Sequence, residues 1–441
     1  MIFQIIFASI LGLYLLIKFG RNHKYKLPPG PPAFPMVGSL PFLEGGGMVE
    51  KMVHPSLEKY GNDFCSLWMG NRLFVVIQDF DLCKDLFSRD EFSARVPLES
   101  PETNVRGYKH RNLGIAGASG NLWQEQRRFA LKHLRDFGLG KQSLDSVIQD
   151  EANYTIDLLL KQSHEDSTQT NVKIDGQFNV PVVNVLWRIV ASYRNDPESV
   201  ENKVFMERLG RFFSKGIHPI EMIPYIGYIR PYTEREKNVI AMKEMFKQRI
   251  SEHQVEFNES DEPRDFIDVF LRQMELEKTE KGTAYNMDTS NFHIEQLTTI
   301  LLDFFAAGSE TTSTTLMWAV MFMVLYPKVQ DKCQKEIDEK LQGLSDRIIF
   351  YTDIYYTLSI LILRLKISDR LPEKTDMQEM VYCFSTIQEI QRISAVASTA
   401  LPHGITKDVS VNGYHFPKGT SMMSHVLLLT IITHARAKLI E

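Results

Sequence analysis

The pattern of apolar positions has one long maximum. Residues 296–326, QLTTILLDFFAAGSETTSTTLMWAVMFMVLY, read as a single apolar helix that stops at Pro327, whose ring cannot continue it. Shorter elements flank it. Residues 64–78 read as two short strands with a turn at Gly70-Asn71, and a helix starts near Asp79. Residues 121–135 form an amphipathic helix, 145–162 and 178–195 two more, and 233–256 a charged one. The polar stretch 258–290 holds one helix near Asp265 to Glu275, and a charged helix follows Pro327. From Phe212 to Tyr232 the chain is apolar and broken by Pro219, Pro224 and Pro231. That stretch reads either as buried loop or as a surface that dips into a membrane. The whole pattern predicts a mainly α protein with small β-sheets.

The first 17 residues carry no side-chain charge, and Lys18, Arg21, Lys24 and Lys26 follow at once. A cleaved signal would place basic residues before the apolar run. This order instead predicts an uncleaved transmembrane anchor at 1–20, with the bulk of the chain on the cytoplasmic side. Residues 21–38 form a basic, proline-rich linker in which LPPGPP (Leu27 to Pro32) fixes an extended strut.

Composition narrows the function. Apolar residues make up 44% of the chain and charged residues 24%, ordinary for a globular protein with a large core. A net charge of −5 gives no case for nucleic acid. Four cysteines (Cys65, Cys83, Cys333, Cys383) lack paired spacing, which fits a reducing compartment rather than a disulfide scaffold.

The centre of the long helix carries the candidate chemistry. Gly308 and a run of hydroxyls lower helix propensity where a plain core helix would have apolar side chains. At helical spacing Ala307, Gly308, Thr311 and Thr315 share one face. That face is a shallow trough against which something flat could lie, with Glu310 and Thr311 placed to relay protons. The alternative is a buried helix whose threonines bond back to carbonyls one turn earlier. Trp123 and Arg127 lie four apart on their helix and suit a carboxylate ligand, or form a stacked surface pair. Glu389 and Arg392 are spaced as a helical ion pair, and His403 falls in a later loop.

Together these motifs resemble the cytochrome P450 haem-thiolate monooxygenases. Ala-Gly-Ser-Glu-Thr-Thr at 307–312 resembles their oxygen-activating helix. The other shared marks are the anchor, LPPGPP, Trp123-x-x-x-Arg127, Glu389-x-x-Arg392 and the hairpin VNGYHFPKGT at 411–420. The order is closest to the microsomal branch that oxidises drugs, fatty acids and steroids. The resemblance implies haem held by Trp123, Arg127 and His403, with Ala307, Gly308 and Thr311 lining its oxygen side. Glu310 and Thr311 would be catalytic, and Glu389 and Arg392 structural. It also implies an apolar small-molecule substrate, NADPH-cytochrome reductase as partner, and the endoplasmic reticulum membrane as location.

The sequence departs from the family in two places. Residues 347–369, RIIFYTDIYYTLSILILRLKISD, form an apolar insertion flanked by a repeated Ser-Asp-Arg. Residues 425–441 are an atypical tail, and the family's cysteine loop of the form Phe-x-x-Gly-x-Arg-x-Cys-x-Gly is absent from the 441 residues. The expectation is a cytochrome P450 fold over 39–424, C-terminally incomplete and without its axial cysteine. Such a chain would be catalytically incompetent, for want of the thiolate that drives O–O cleavage. The alternative is a non-enzymatic, membrane-anchored isoform that binds the reductase or an intact paralogue.

Overall fold

A computed structural model describes most of residues 25–424, with Phe7, Ser9 and Gly12. Residues 35–36, 45–50, 52–53, 71, 96–106, 109–110, 166–173, 215–230, 283–285, 287–288, 342–375, 377, 398 and 425–441 lie outside the described residues, as does the rest of 1–24. The expected anchor (but for those three residues), the insertion at 347–369 and the tail therefore lie outside them. Among the described residues no helix is long and apolar enough to cross a membrane.

The chain divides into two compact units. One draws on Met1–Trp123, Lys215–Lys237 and Ala397–Glu441, the other on Gln124–Ser214 and Asn238–Val396. The first holds the strands: β1 (Phe64–Met69), β2 (Arg72–Ile77), β3 (Ala94–Arg95), β4 (Gly107–Tyr108), β5 (Arg111–Asn112), β6 (His403–Gly404), β7 (Val409–Val411), β8 (Tyr414–Phe416) and β9 (Ser421–Ser424). Five of them form a mixed sheet in the order β1-β2-β9-β6-β3, with β2 and β9 parallel and the other pairs antiparallel.

Alternation along β1 and β2 feeds two separate cores, because successive side chains leave opposite faces of a strand. Phe64, Leu73, Val75 and Ile77 pack with Phe92, Phe416 and Met422 on one face. Cys65, Leu67, Met69, Phe74 and Val76 pack with Leu43, Leu57 and Met423 on the other. Helix α1 (Phe80–Phe87) closes the first face through Cys83 and Leu86, and Asp79 caps it by accepting from the Leu82 N–H at 2.7 Å. The β7–β8 hairpin turns at Asn412 and Gly413, whose φ values of 47° and 76° match the two left-handed positions of a type I′ turn.

The proline segment is docked along β1. The Ser66 hydroxyl donates to the Pro28 carbonyl at 2.7 Å, and the Ser66 N–H donates to the Pro29 carbonyl at 3.0 Å. A Cβ on Gly30 would meet the Ser66 carbonyl oxygen at 1.8 Å, so only glycine allows this approach.

The second unit is helical: most of α2 (Gly120–Asp136), then α3 (Asp145–Glu165), α4 (Asn179–Ala191) and α5 (Val200–Ser214). It continues with most of α6 (Glu234–Glu256), α7 (Phe266–Lys281), α8 (Ile294–Gly308), α9 (Glu310–Leu325), α10 (Pro327–Leu341) and α11 (Val381–Ser394). Trp187, Phe205, Phe246 and Phe305 draw α4, α5, α6 and α8 together, with centroids 4.4–5.9 Å apart. Leu316 and Val320 of α9 pack on Ile156, Val182 and Ile387 of α3, α4 and α11.

The long apolar helix is two helices, not one. The break falls at Ser309, whose hydroxyl and N–H both donate to the Phe305 carbonyl, at 2.5 and 3.3 Å. The hydroxyls that lowered helix propensity in the sequence compete here for backbone acceptors and interrupt the regular ladder beside Gly308.

Candidate functional site

The α8–α9 junction carries four of the expected residues. Ala307 and Thr311 are exposed, one turn apart on an open face, and the Thr311 hydroxyl donates to the Ala307 carbonyl at 2.6 Å. Thr315 is buried and bonds to the Thr311 carbonyl at 2.6 Å. The back-bonding alternative is therefore the observed state of both threonines. Glu310 is half-buried, and burial alone pushes its carboxyl pKa up.

Gly308 does not widen the open face. A Cβ there would lie 3.2 Å from both methyl carbons of Leu186 on α4. The glycine is needed for close packing of α8 on α4, and Ala307 is the small residue of the trough.

In the sheet unit, His403 lies in β6 directly across from Arg95 in β3. Its ring stacks on Phe87, centroids 4.0 Å apart and 12° from parallel, and Nδ1–H donates to the Phe92 carbonyl at 2.7 Å. Burial, and after it the Arg95 guanidinium, hold the imidazole below the usual histidine range. Arg95 is itself half-buried, with its Nε–H on the Ala116 carbonyl at 3.1 Å. An anion received by this pair would reverse the local field and favour protonated His403. Arg95 was missed in the sequence. The stretch Phe92-Ser-Ala-Arg95 has no spacing signal, and its meaning comes only from its register with a strand some three hundred residues later.

Trp123 and Arg127 lie one turn apart on α2, the first half-buried and the second exposed. Glu389 and Arg392 form a forked pair on α11, with contacts of 2.7 and 2.5 Å. Glu389 is 49% exposed in this structure, so the pair is solvated on that side.

All four cysteines are buried. Among the described residues the one histidine–acid cluster with ligand-like spacing is His253, Asp265 and Asp268, whose ligand atoms lie within 4.8 Å of one another. Arg264 already occupies both Asp268 oxygens, at 2.7 and 3.2 Å, and does there what a cation would do.

The chain is mainly helical with a small mixed sheet; its helical unit carries an Ala-Thr face beside a half-buried acid, and its sheet unit an arginine–histidine pair. The cytochrome P450 family profile matches residues 28–430, and the chain belongs to that family. Cytochrome P450 2B4 of Oryctolagus cuniculus is 30% identical over 432 residues, covering 95% of this chain and 78% of the relative. Cytochrome P450 2J3 of Rattus norvegicus is 31% identical over 440 residues, covering 96% and 77%. Cytochrome P450 2C8 of Homo sapiens is 29% identical over 436 residues, covering 98% and 80%. The family's cofactor is haem and its chemistry is monooxygenation.

Proposed function

We propose that residues 39–424 frame a haem monooxygenase site for apolar small molecules (xenobiotics, fatty acids or steroids). In this reading electrons come from NADPH-cytochrome reductase, at the cytoplasmic face of the endoplasmic reticulum membrane. The observation that carries the reading is the open Ala307–Thr311 face beside an acid whose pKa is raised by burial alone. The residues whose N–H groups would serve the cofactor's carboxylates are Arg95 and His403 in the sheet unit, and Trp123 and Arg127 on α2. Haem, when bound, supplies an iron centre at which dioxygen is held and reduced. Ala307 leaves the face low enough for a flat group, and Gly308 fixes α8 against α4. Glu310 holds a proton closer to neutral pH than an exposed glutamate does, and Thr311 can turn its hydroxyl from the Ala307 carbonyl to pass one on. Glu389 and Arg392 position α11.

The fit fails at the iron. Cys65 and Cys83 are buried in the sheet unit, and Cys333 and Cys383 are packed together between α10 and α11. We therefore read these 441 residues by themselves as catalytically silent. The same commitment of all four thiols favours a second reading, a non-enzymatic membrane-anchored isoform that binds the reductase or an intact paralogue.

The test is the carbon monoxide difference spectrum of the reduced chain, with haem titration of Arg95→Ala and His403→Ala. The expected result is haem binding that both substitutions weaken, with no thiolate-type Soret band. A thiolate band would overturn the silent reading, and titration unaffected by both substitutions would overturn the haem site. Saturable binding of the reductase by the silent chain would select the second reading.

A further inference from the structure

Of the four buried cysteines, two meet. Cys333 lies on α10 and Cys383 on α11, 1% and 0% exposed. The Cys383 thiol donates to the Cys333 carbonyl at 3.5 Å, the Cys333 thiol lies 3.5 Å from the Thr386 hydroxyl, and both side chains belong to one packed cluster. The helices are pinned at this point. Glu336, one turn after Cys333, accepts the N–H groups of Tyr382 and Cys383 at 2.9 and 2.7 Å, and so caps α11 from α10. Ile337 and Met380 close the packing. The cap fixes the backbone of Cys383 beside α10.

We propose that Cys333 and Cys383 form an intrachain disulfide driven by hydrogen peroxide, joining α10 to α11. The inference does not rest on the haem reading. The two thiols are unequal. The Cys383 side chain, opposed by burial and helped by Thr386, holds Cys333 below the usual thiol range. Its partner Cys383 is pushed well up, by Cys333 first and burial second. The Cys383 proton is committed to the Cys333 carbonyl, while the Cys333 sulfur has the Thr386 hydroxyl beside it, so we take Cys333 as the attacking sulfur and Cys383 as the resolving one. The Cys333 sulfur attacks one peroxide oxygen and the O–O bond breaks, leaving a sulfenic acid and one water. The Cys383 sulfur then attacks the sulfenic sulfur. The S–S bond forms, the S–O bond breaks, and the hydroxyl leaves with the Cys383 proton as a second water. Two thiols are oxidised and one peroxide is reduced. Burial admits peroxide more readily than bulky disulfides, which favours this oxidant over glutathione disulfide. Burial pushes Cys65 up to about 12, and Cys83 is likewise raised by burial. Neither is paired with another cysteine.

The experiment treats the full chain in detergent with hydrogen peroxide, then alkylates it in denaturant and reads intact mass and peptides. The expected result is a chain carrying two alkyl groups where the untreated chain carries four, and a peptide joining Cys333 to Cys383, about two mass units lighter than the sum of its two thiol peptides. Cys65 and Cys83 should be recovered alkylated. Cys333→Ser should leave Cys383 alkylated, and a Cys65→Ala/Cys83→Ala variant should keep the link. Four alkylated cysteines after peroxide, or sulfinic acid at Cys333 with no link, would overturn the proposal. So would the scrambled pairing given by the denatured chain.

Discussion

Two polar clusters in the helical unit are built on opposite plans. Where α6 turns into α7, each charged group meets its complement. His253 donates to Asp265 and to the Arg249 carbonyl, both at 3.0 Å. Asp265 caps α7 by accepting the Asp268 N–H at 3.0 Å, and Arg264 bridges Asp268 and Glu256. At the α8–α9 junction, Glu310 is half-buried and its pKa answers to burial alone. A saturated network is rigid and fixes a corner. A half-desolvated acid with burial as the cause of its shift keeps its proton to higher pH than an exposed one. Burial and charge alone do not separate the two, since the more buried cluster is the structural one.

The comparison breaks most visibly at Asp265. Asp265→Ala removes the cap of α7 and leaves His253 buried without its partner, at a cost of about 3 kcal/mol in denaturant unfolding. A cost below that of an ordinary surface substitution would show that the corner is not the lock described. A smaller effect is expected at Gly308. Gly308→Ala gains helix propensity but presses a methyl on Leu186, for a net loss of about 1 kcal/mol. Leu186→Ala in the same chain should recover part of that loss. Simple additivity would mean that the two residues do not press on each other.

The smallest effects are pH slopes, which sharpen the contrast. Burial would lower His253, but the hydrogen bond and charge of Asp265 outweigh it and the net shift is upward. Its contribution is complete below the unfolded pKa and is lost as pH rises through the folded value. Burial would raise Asp268, but Arg264 outweighs it and the net shift is downward, so its contribution is lost as pH falls through the folded value. The corner is therefore strongest between the carboxylate and imidazole ranges. Glu310, raised, favours the folded state only while protonated, and stability declines as pH rises through its folded value. Glu310→Gln should abolish that decline in the unfolding midpoint and leave the alkaline loss from His253 in place.

The sequence carried the periodic elements well. The β1–β2 pair, the amphipathic α2 and the charged α6 follow directly from local spacing. It also singled out Ala307, Glu310 and Thr311 as candidates, because small and hydroxyl residues in an apolar run break a local rule. What it could not carry was contact. Gly308 looked like part of the trough until Leu186 of α4 was seen against it. Arg95 gained meaning only opposite His403, and Cys333 and Cys383 met only through packing of α10 on α11. The single long helix became two at Ser309, where a hydroxyl and an N–H share one acceptor, the Phe305 carbonyl, a competition that periodicity does not weigh.

The docked proline segment has a mechanical consequence. Between Tyr25 and Ser39 the chain is held by the Tyr25–His415 stack, the His415 N–H on the Lys26 carbonyl, both Ser66 bonds, and Ser39 on the Trp68 carbonyl. A pull applied ahead of Tyr25 would load the His415 contacts on β8 first and then the Ser66 and Trp68 bonds along β1. The sheet unit would then take the tension as a keel takes strain from a mooring line, at the β7–β8 hairpin first and along β1 after it.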